Sequence, residues 1–285
     1  MCSRGLDLPV GLYEKALPVD WPWEERLGRA AQAGYDFVDI SIDETDHRLE
    51  RLDWPASKRA ALRQAIAHTG VPILTMCLSV HRKYSLGSRS TETRQQGLTI
   101  LRKAIEFAGD IGVRIIQVMG YDVFYEPSDD QTKANFIDSL RQGVYWAGRA
   151  GVMLGLENVD NPFLESVEKG LRLVRELNSP WFHLYPDMAN LAAAGYHPPA
   201  ELSLAKGHLL AVHVKDALPG VIRGVPFETG IVPFEETFQT LARIGFSGPL
   251  GVEMWADMDA SGDPFASAVA ARQLVQSLTS VAWSN

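Results

Sequence analysis

The chain has only two cysteines in 285 residues, Cys2 and Cys77, too few for a disulfide framework and suited to a reducing compartment. No apolar run approaches the ~18 residues of a membrane span. Met1 to Val10 carries no apolar signal region, so a cytoplasmic protein is expected, with no membrane partner. Positive charge is the scarcer sign: 27 Lys and Arg stand against 35 Asp and Glu, a formal net charge of −8. That balance argues against nucleic acid as a partner, because duplex binders present a basic surface. No G-x-G-x-x-G follows the first apolar run, and no G-x-x-x-x-G-K-[ST] occurs, which removes the usual nucleotide-binding signatures. Nor does any low-complexity stretch divide the chain into parts.

What the chain does have is a recurring phrase: an Ala-rich helical segment, a glycine, then a short apolar run. Gly34 precedes Phe37-Val38-Asp39-Ile40, and Gly70 precedes Val71 to Leu78. Gly112, Gly151, Gly207 and Gly245 introduce further runs, and Asn178 takes the same place before Trp181 to Tyr185. Glycine or asparagine can adopt the left-handed conformation that closes a helix, so these positions mark helix ends. The runs are rich in Val, Ile and Leu with little polar alternation, as in parallel strands buried on both faces. With a first strand at Pro9 to Tyr13, the count reaches eight strand–helix units. Eight units predict an α/β fold, a single-domain (β/α)8 TIM barrel spanning residues 1–285.

Barrel chemistry sits at the C-terminal ends of the strands. Strand five ends Leu156-Glu157-Asn158, and strand six ends Tyr185-Pro186-Asp187. Strand seven carries His213-Val214-Lys215-Asp216, and strand eight ends Val252-Glu253-Met254-Trp255. Four successive strands thus bring Glu157, Asp187, His213 and Glu253 to one rim. Singly, each has an ordinary explanation; Asp187, for instance, could simply cap the next helix. Together, three carboxylates and an imidazole suit one divalent cation of the manganese, zinc or magnesium type. Such a cation would also relieve the mutual repulsion of crowded carboxylates.

Several phrases resemble one family in particular. They are Gly11-Leu12-Tyr13-Glu14-Lys15-Ala16-Leu17-Pro18, Asp43-Glu44-Thr45-Asp46, Arg51-Leu52-Asp53-Trp54 and Met76-Cys77-Leu78-Ser79. Pro186-Asp187, His213 to Asp216 and Glu253-Met254-Trp255 complete the set. Together and in order, they make the chain similar to xylose-isomerase-like barrels, and more closely to the bacterial L-ribulose-5-phosphate 3-epimerases. The resemblance implies that Glu157, Asp187, His213 and Glu253 hold the metal and that the protein is a homodimer. It also implies epimerisation at carbon 3 of a ketopentose 5-phosphate, with Glu157 and Glu253 as the two bases on opposite faces of an enediolate. The chain departs from that family where it reads Val225-Pro226-Phe227-Glu228-Thr229-Gly230, with Glu228 soon after Phe227 where the family tends to have glycine.

A sugar phosphate, as partner of an acidic protein, needs a local cationic site. The loop from Ser79 to Arg89 places cations beside hydroxyls and a glycine before a helix start, so His81, Arg82, Ser85 and Ser88 are candidates. Asn190 and Lys215 are further candidates for substrate binding. Lys215 shares a strand face with His213, so it either binds substrate oxygen or forms an ion pair with Asp216 or Glu253. A non-phosphorylated ketose or hydroxypyruvate as substrate is the alternative. A metal-dependent apurinic endonuclease is a weaker one, since the further rim histidines such a site requires are missing.

Overall fold

Strands alternate with helices throughout residues 8–284, the part of the chain described by this computed structural model; Cys2 lies outside it. The strands are β1 (Val10–Tyr13), β2 (Phe37–Ile42), β3 (Ile73–Leu78), β4 (Ile115–Met119), β5 (Met153–Glu157), β6 (Phe182–Leu184), β7 (Val212–Val214) and β8 (Leu250–Val252). The principal helices that follow them in turn are α1 (Trp23–Gln32), α2 (Ala56–Thr69), α3 (Thr91–Ile111), α4 (Asp130–Ala150), α5 (Val167–Leu177), α6 (Pro198–Leu204), α7 (Phe234–Arg243) and α8 (Pro264–Ala282). Every ladder is parallel, in the order β6-β5-β4-β3-β2-β1-β8-β7. Parallel bridges Leu184–Leu209 and Asp187–His213 join β6 to β7 and close the ring. The expected (β/α)8 barrel is what forms. No helix among the described residues is long and apolar enough to cross a membrane.

The helix-closing residues behave as the sequence predicts. Gly34, Gly70, Gly112, Gly151, Gly207 and Gly245 have φ between 69° and 93°, and Asn178 has φ 41°. A side chain with Cβ is strained in that region, which is why the chain uses glycine or asparagine there. Strand starts come slightly later than the apolar runs suggest. Pro72, with no N–H to donate, delays β3 to Ile73, and Leu209 joins β6 only through an isolated bridge.

Within each strand the two faces differ. Val38, Ile40 and Ile42 enter the apolar layer between sheet and helices, while Phe37, Asp39 and Ser41 take the opposite face, inside the ring. Glycines make room there for large rings. A Cβ on Gly11 would lie 2.1 Å from the Phe37 ring, and one on Gly155 would lie 2.8 Å from Tyr185 Cβ. Tyr185, completely buried, thereby fills the barrel beneath the C-terminal rim.

At that rim, the ends of β1 and β2 are tied by a buried ion cluster. Glu14 Oε1 accepts from Arg51 Nη1 at 2.6 Å, Arg48 Nε at 3.1 Å and the Ser41 backbone N–H at 3.1 Å. Its other oxygen faces Arg26 Nη1 at 3.3 Å. Beside it, Asp43 binds Lys15 at 2.6 Å and Arg48 at 3.2 Å. Much of the Glu14-Lys15, Asp43 and Arg51 phrasing is therefore structural, holding strand ends in place.

Candidate metal centre

Side chains alternate across a strand, so a residue one step past an outward-facing apolar residue turns inward. Outward Leu156, Val212 and Val252 thus set Glu157, His213 and Glu253 facing the axis. Asp187 arrives differently, from the turn after β6. Its Oδ1 caps the short helix Met188–Ala193, accepting from Ala189 N at 2.7 Å and Asn190 N at 3.0 Å. That leaves Oδ2 for the centre, so one carboxylate can cap the helix and still face the cluster. Ligand atoms of all four residues lie within 4.8 Å of one another, and all four side chains are buried. His213 Nδ1 stands 3.6 Å from Glu157 Oε1 and 3.9 Å from Glu253 Oε2.

Lys215 completes the cluster. Its Nζ lies 2.6 Å from Asp187 Oδ2, 2.8 Å from Glu253 Oε2 and 3.2 Å from Asn190 Oδ1. Of the two ion pairs the sequence allowed, the one with Glu253 forms and the one with Asp216 does not. Asp216 instead accepts from the backbone N–H groups of Ala217, Gly230 and Val232, anchoring the loop after β7. Asn190 also donates to Asn158 O at 3.0 Å, while Asn158 exchanges bonds with the Asp187 backbone. Those amides lock the ends of β5 and β6 together.

Charge in this pocket is unevenly held. Burial, then the nearby charges of Glu253 and Asp187, pushes Glu157 up to about 7 despite its contact with His213. Burial would raise Glu253 as well, but Lys215 and His213 bring it down to about 2. Asp187 is raised by burial, with Lys215 opposing. The donor set fits a divalent cation: three carboxylates and an imidazole converge, and the buried Glu157 Oε2 has no hydrogen-bond partner.

A cavity of about 240 Å³ opens beside Lys215 and Glu253, walled by Phe227, Trp255, Met258 and Leu274. Trp255 meets Tyr13 edge-on at 6.0 Å, with Lys215 Nζ 5.5 Å and the Arg223 guanidinium 5.4 Å from its ring. The loop after β3 supplies less than its composition promises. His81 is buried with Nε2 3.1 Å from Gly97 O of α3, and burial takes it down to about 4. Ser85 Oγ donates to Arg82 O, and Ser88 Oγ accepts from Ser90 N. These three are not part of the cluster: both serine hydroxyls bond within the loop, and His81 bonds α3 through Nε2 while its buried Nδ1 has no partner. Arg89 pairs with Asp129. Arg82 is the exception: half-buried, over the Phe124 ring at 5.8 Å, and with no side-chain partner among the described residues.

Other inward groups escaped the sequence reading. Asp39, Thr75 and Gln117 are completely buried inside the ring below the four cluster residues. The available signal was a polar residue at an inward position of an otherwise apolar strand.

Fold and centre together define a class: parallel (β/α)8 barrels with a carboxylate–imidazole pocket at the C-terminal rim. The chain belongs to the xylose isomerase-like TIM barrel family, whose model matches residues 27–279. It is 48% identical over 269 residues to the L-ribulose-5-phosphate 3-epimerase UlaE of Shigella boydii and to that of Escherichia coli, covering 94% of each chain in both pairs. Among solved structures it is similar to an L-ribulose 3-epimerase at 19% identity and TM-score 0.79, covering 97% of this chain and 96% of the other. The D-allulose 3-epimerase of Methylomonas sp. is likewise similar, at 18% identity and TM-score 0.79, covering 95% and 96%.

Proposed function

We propose that this chain is a metal-dependent carbohydrate epimerase that inverts carbon 3 of a ketopentose 5-phosphate, interconverting L-xylulose 5-phosphate and L-ribulose 5-phosphate. The observation carrying this reading is the buried pair Glu157 and Glu253, brought from the ends of β5 and β8 to one centre. Inversion next to a carbonyl requires one group to take a proton from one face and another to return a proton to the opposite face. Glu157 and Glu253 are the two proton-transfer groups, one for each face, and they exchange roles in the reverse direction. Glu157, Asp187, His213 and Glu253 would hold the manganese, zinc or magnesium ion, which when bound supplies Lewis-acid stabilisation for the charge developing on the substrate oxygens.

Lys215 and Asn190 border the same pocket and would meet the sugar oxygens. The phosphate needs a cation that is not already paired; Arg82 and Lys83 of the loop after β3 both lack an ion-pair partner among the described residues, and Arg82 is the half-buried one of the two. His81, Ser85 and Ser88 would serve by keeping that loop rigid. The reading includes a cytoplasmic homodimer, to be checked by light scattering.

The test is deuterium incorporation at carbon 3 when L-ribulose 5-phosphate and free L-ribulose are offered in heavy water. Exchange should occur with the phosphorylated sugar and disappear in both Glu157→Gln and Glu253→Gln. Arg82→Ala should lower kcat/KM for the phosphate ester by roughly 10–100-fold, the value of a charge-assisted bond, and leave the free sugar unaffected. Turnover of the free sugar alone would overturn the phosphate assignment. No exchange with either sugar would overturn the epimerase reading.

A further inference from the structure

The inner face of β2 carries a carboxylate that the metal centre does not use directly. Asp39 is completely buried, and neither of its oxygens has a hydrogen-bond partner. An ionisable group in that position carries a cost unless something opposite compensates it. Its neighbour across the barrel is His213, whose Nε2 lies 3.4 Å from Asp39 Oδ2 and has no other partner. The other ring nitrogen, Nδ1, is the one facing Glu157 and Glu253. Gln117 Nε2 stands 3.1 Å from Nδ1, a donor aimed where a ring lone pair would be.

The ring has little freedom to choose another arrangement. Tyr185 meets it edge-on at 4.7 Å between centroids. On β8, even a methyl group at Gly251 would come within 2.8 Å of His213 Cδ2. With the ring so confined, the remaining variable is which nitrogen carries the proton. A neutral imidazole has one donor and one acceptor, and an ionised carboxylate only accepts.

We propose that Asp39 is a positioning residue for the metal centre: it takes the Nε2–H of His213, fixing the tautomer whose Nδ1 lone pair points at the cluster of Glu157, Asp187 and Glu253. Ligating histidines are commonly oriented by such an outer partner, and losing it costs about 10–100-fold in metal affinity. Asparagine in its place could donate as well as accept, so it would no longer enforce one tautomer. This inference rests on the metal-dependent reading above.

The experiment compares wild type, Asp39→Asn and Asp39→Glu, stripped with chelator and titrated with zinc or manganese by calorimetry, with melting of the stripped proteins as the fold control. In parallel, nitrogen-15 spectra of zinc-loaded wild type report the His213 tautomer without any substitution. Expected are zinc at Nδ1 with a proton on Nε2 in wild type, a 10–100-fold weaker cation affinity in Asp39→Asn, and partial recovery in Asp39→Glu. Zinc at Nε2, or undiminished affinity in a folded Asp39→Asn, overturns the positioning role and leaves the metal centre standing. Wild type that binds neither cation overturns both readings.

Discussion

Gly251→Ala tests the metal centre from a residue that would touch no cation. The added methyl would sit 2.8 Å from His213 Cδ2 and 2.8 Å from the Tyr185 hydroxyl oxygen. Ordinary contact begins near 3.4 Å, so each ring must yield by about 0.6 Å. Tyr185 and His213 already meet edge-on, and both are completely buried, so there is no solvent-side space to absorb the shift. Overpacking of this kind costs about 1–3 kcal/mol. At ~2.1 cal/mol/K per residue, a chain of this size should melt roughly 2–5 °C lower. A larger effect is expected on cation binding, since metal–ligand distances tolerate only ~0.2 Å. Cation affinity measured by calorimetry should therefore fall at least about tenfold. Melting curves in chelator isolate the packing cost, and titration with manganese or zinc isolates the ligand displacement. Unchanged cation affinity would refute the claim that Gly251 keeps His213 in place.

Glu157 pushed up to about 7 is protonated at pH 6 and ionised at pH 8 in the stripped protein. Its proton must leave for the carboxylate to serve as a ligand, so cation uptake should release about one more proton at pH 6 than at pH 8, with apparent affinity rising as pH passes through 7. Calorimetry in two buffers of different ionisation heat measures this, and equal release at both pH values would contradict it. Glu14→Gln leaves Arg26, Arg48 and Arg51 without their shared carboxylate, which for a buried pair costs about 3–5 kcal/mol. Urea unfolding should register that loss, and a change below ~1 kcal/mol would mean that the cluster is solvated. Glu228 sits at φ 64°, a left-handed conformation costing a non-glycine residue about 1–2 kcal/mol. Glu228→Gly should therefore stabilise by a net ~0.5–1 kcal/mol after the unfolded chain's gain in freedom, whereas Glu228→Ala should gain nothing. Equal stability of the two variants would show that backbone strain is not the issue.

That last position shows how far the sequence could be read. The departure at Glu228 was visible beforehand, but its meaning was not, because backbone conformation in a long loop depends on anchors elsewhere. Here the anchor is Asp216, whose bonds to Gly230 and Val232 bend the loop back onto β7. The loop after β3 shows the opposite case: its composition reads as an anion site, and the structure adds that Ser85 and Ser88 bond within the loop and that His81 Nε2 meets α3. Only Arg82 keeps a cation free of a side-chain partner among the loop's proposed residues.

The barrel and the four residues of the candidate centre were legible in the chain because their signals are local. A residue with φ above zero must suit the left-handed region wherever the rest of the fold lies, and a polar residue at the end of an apolar run announces itself within five positions. Tertiary structure alone decided the partners. Asp39 reaches His213 because the sheet curls from β2 through β1 and β8 to β7, and Lys215 chooses Asp187 and Glu253 over adjacent Asp216 because alternate residues along the chain there face opposite ways. Contacts across a closed barrel join residues far apart in sequence, and no short-range pattern encodes which of them will meet.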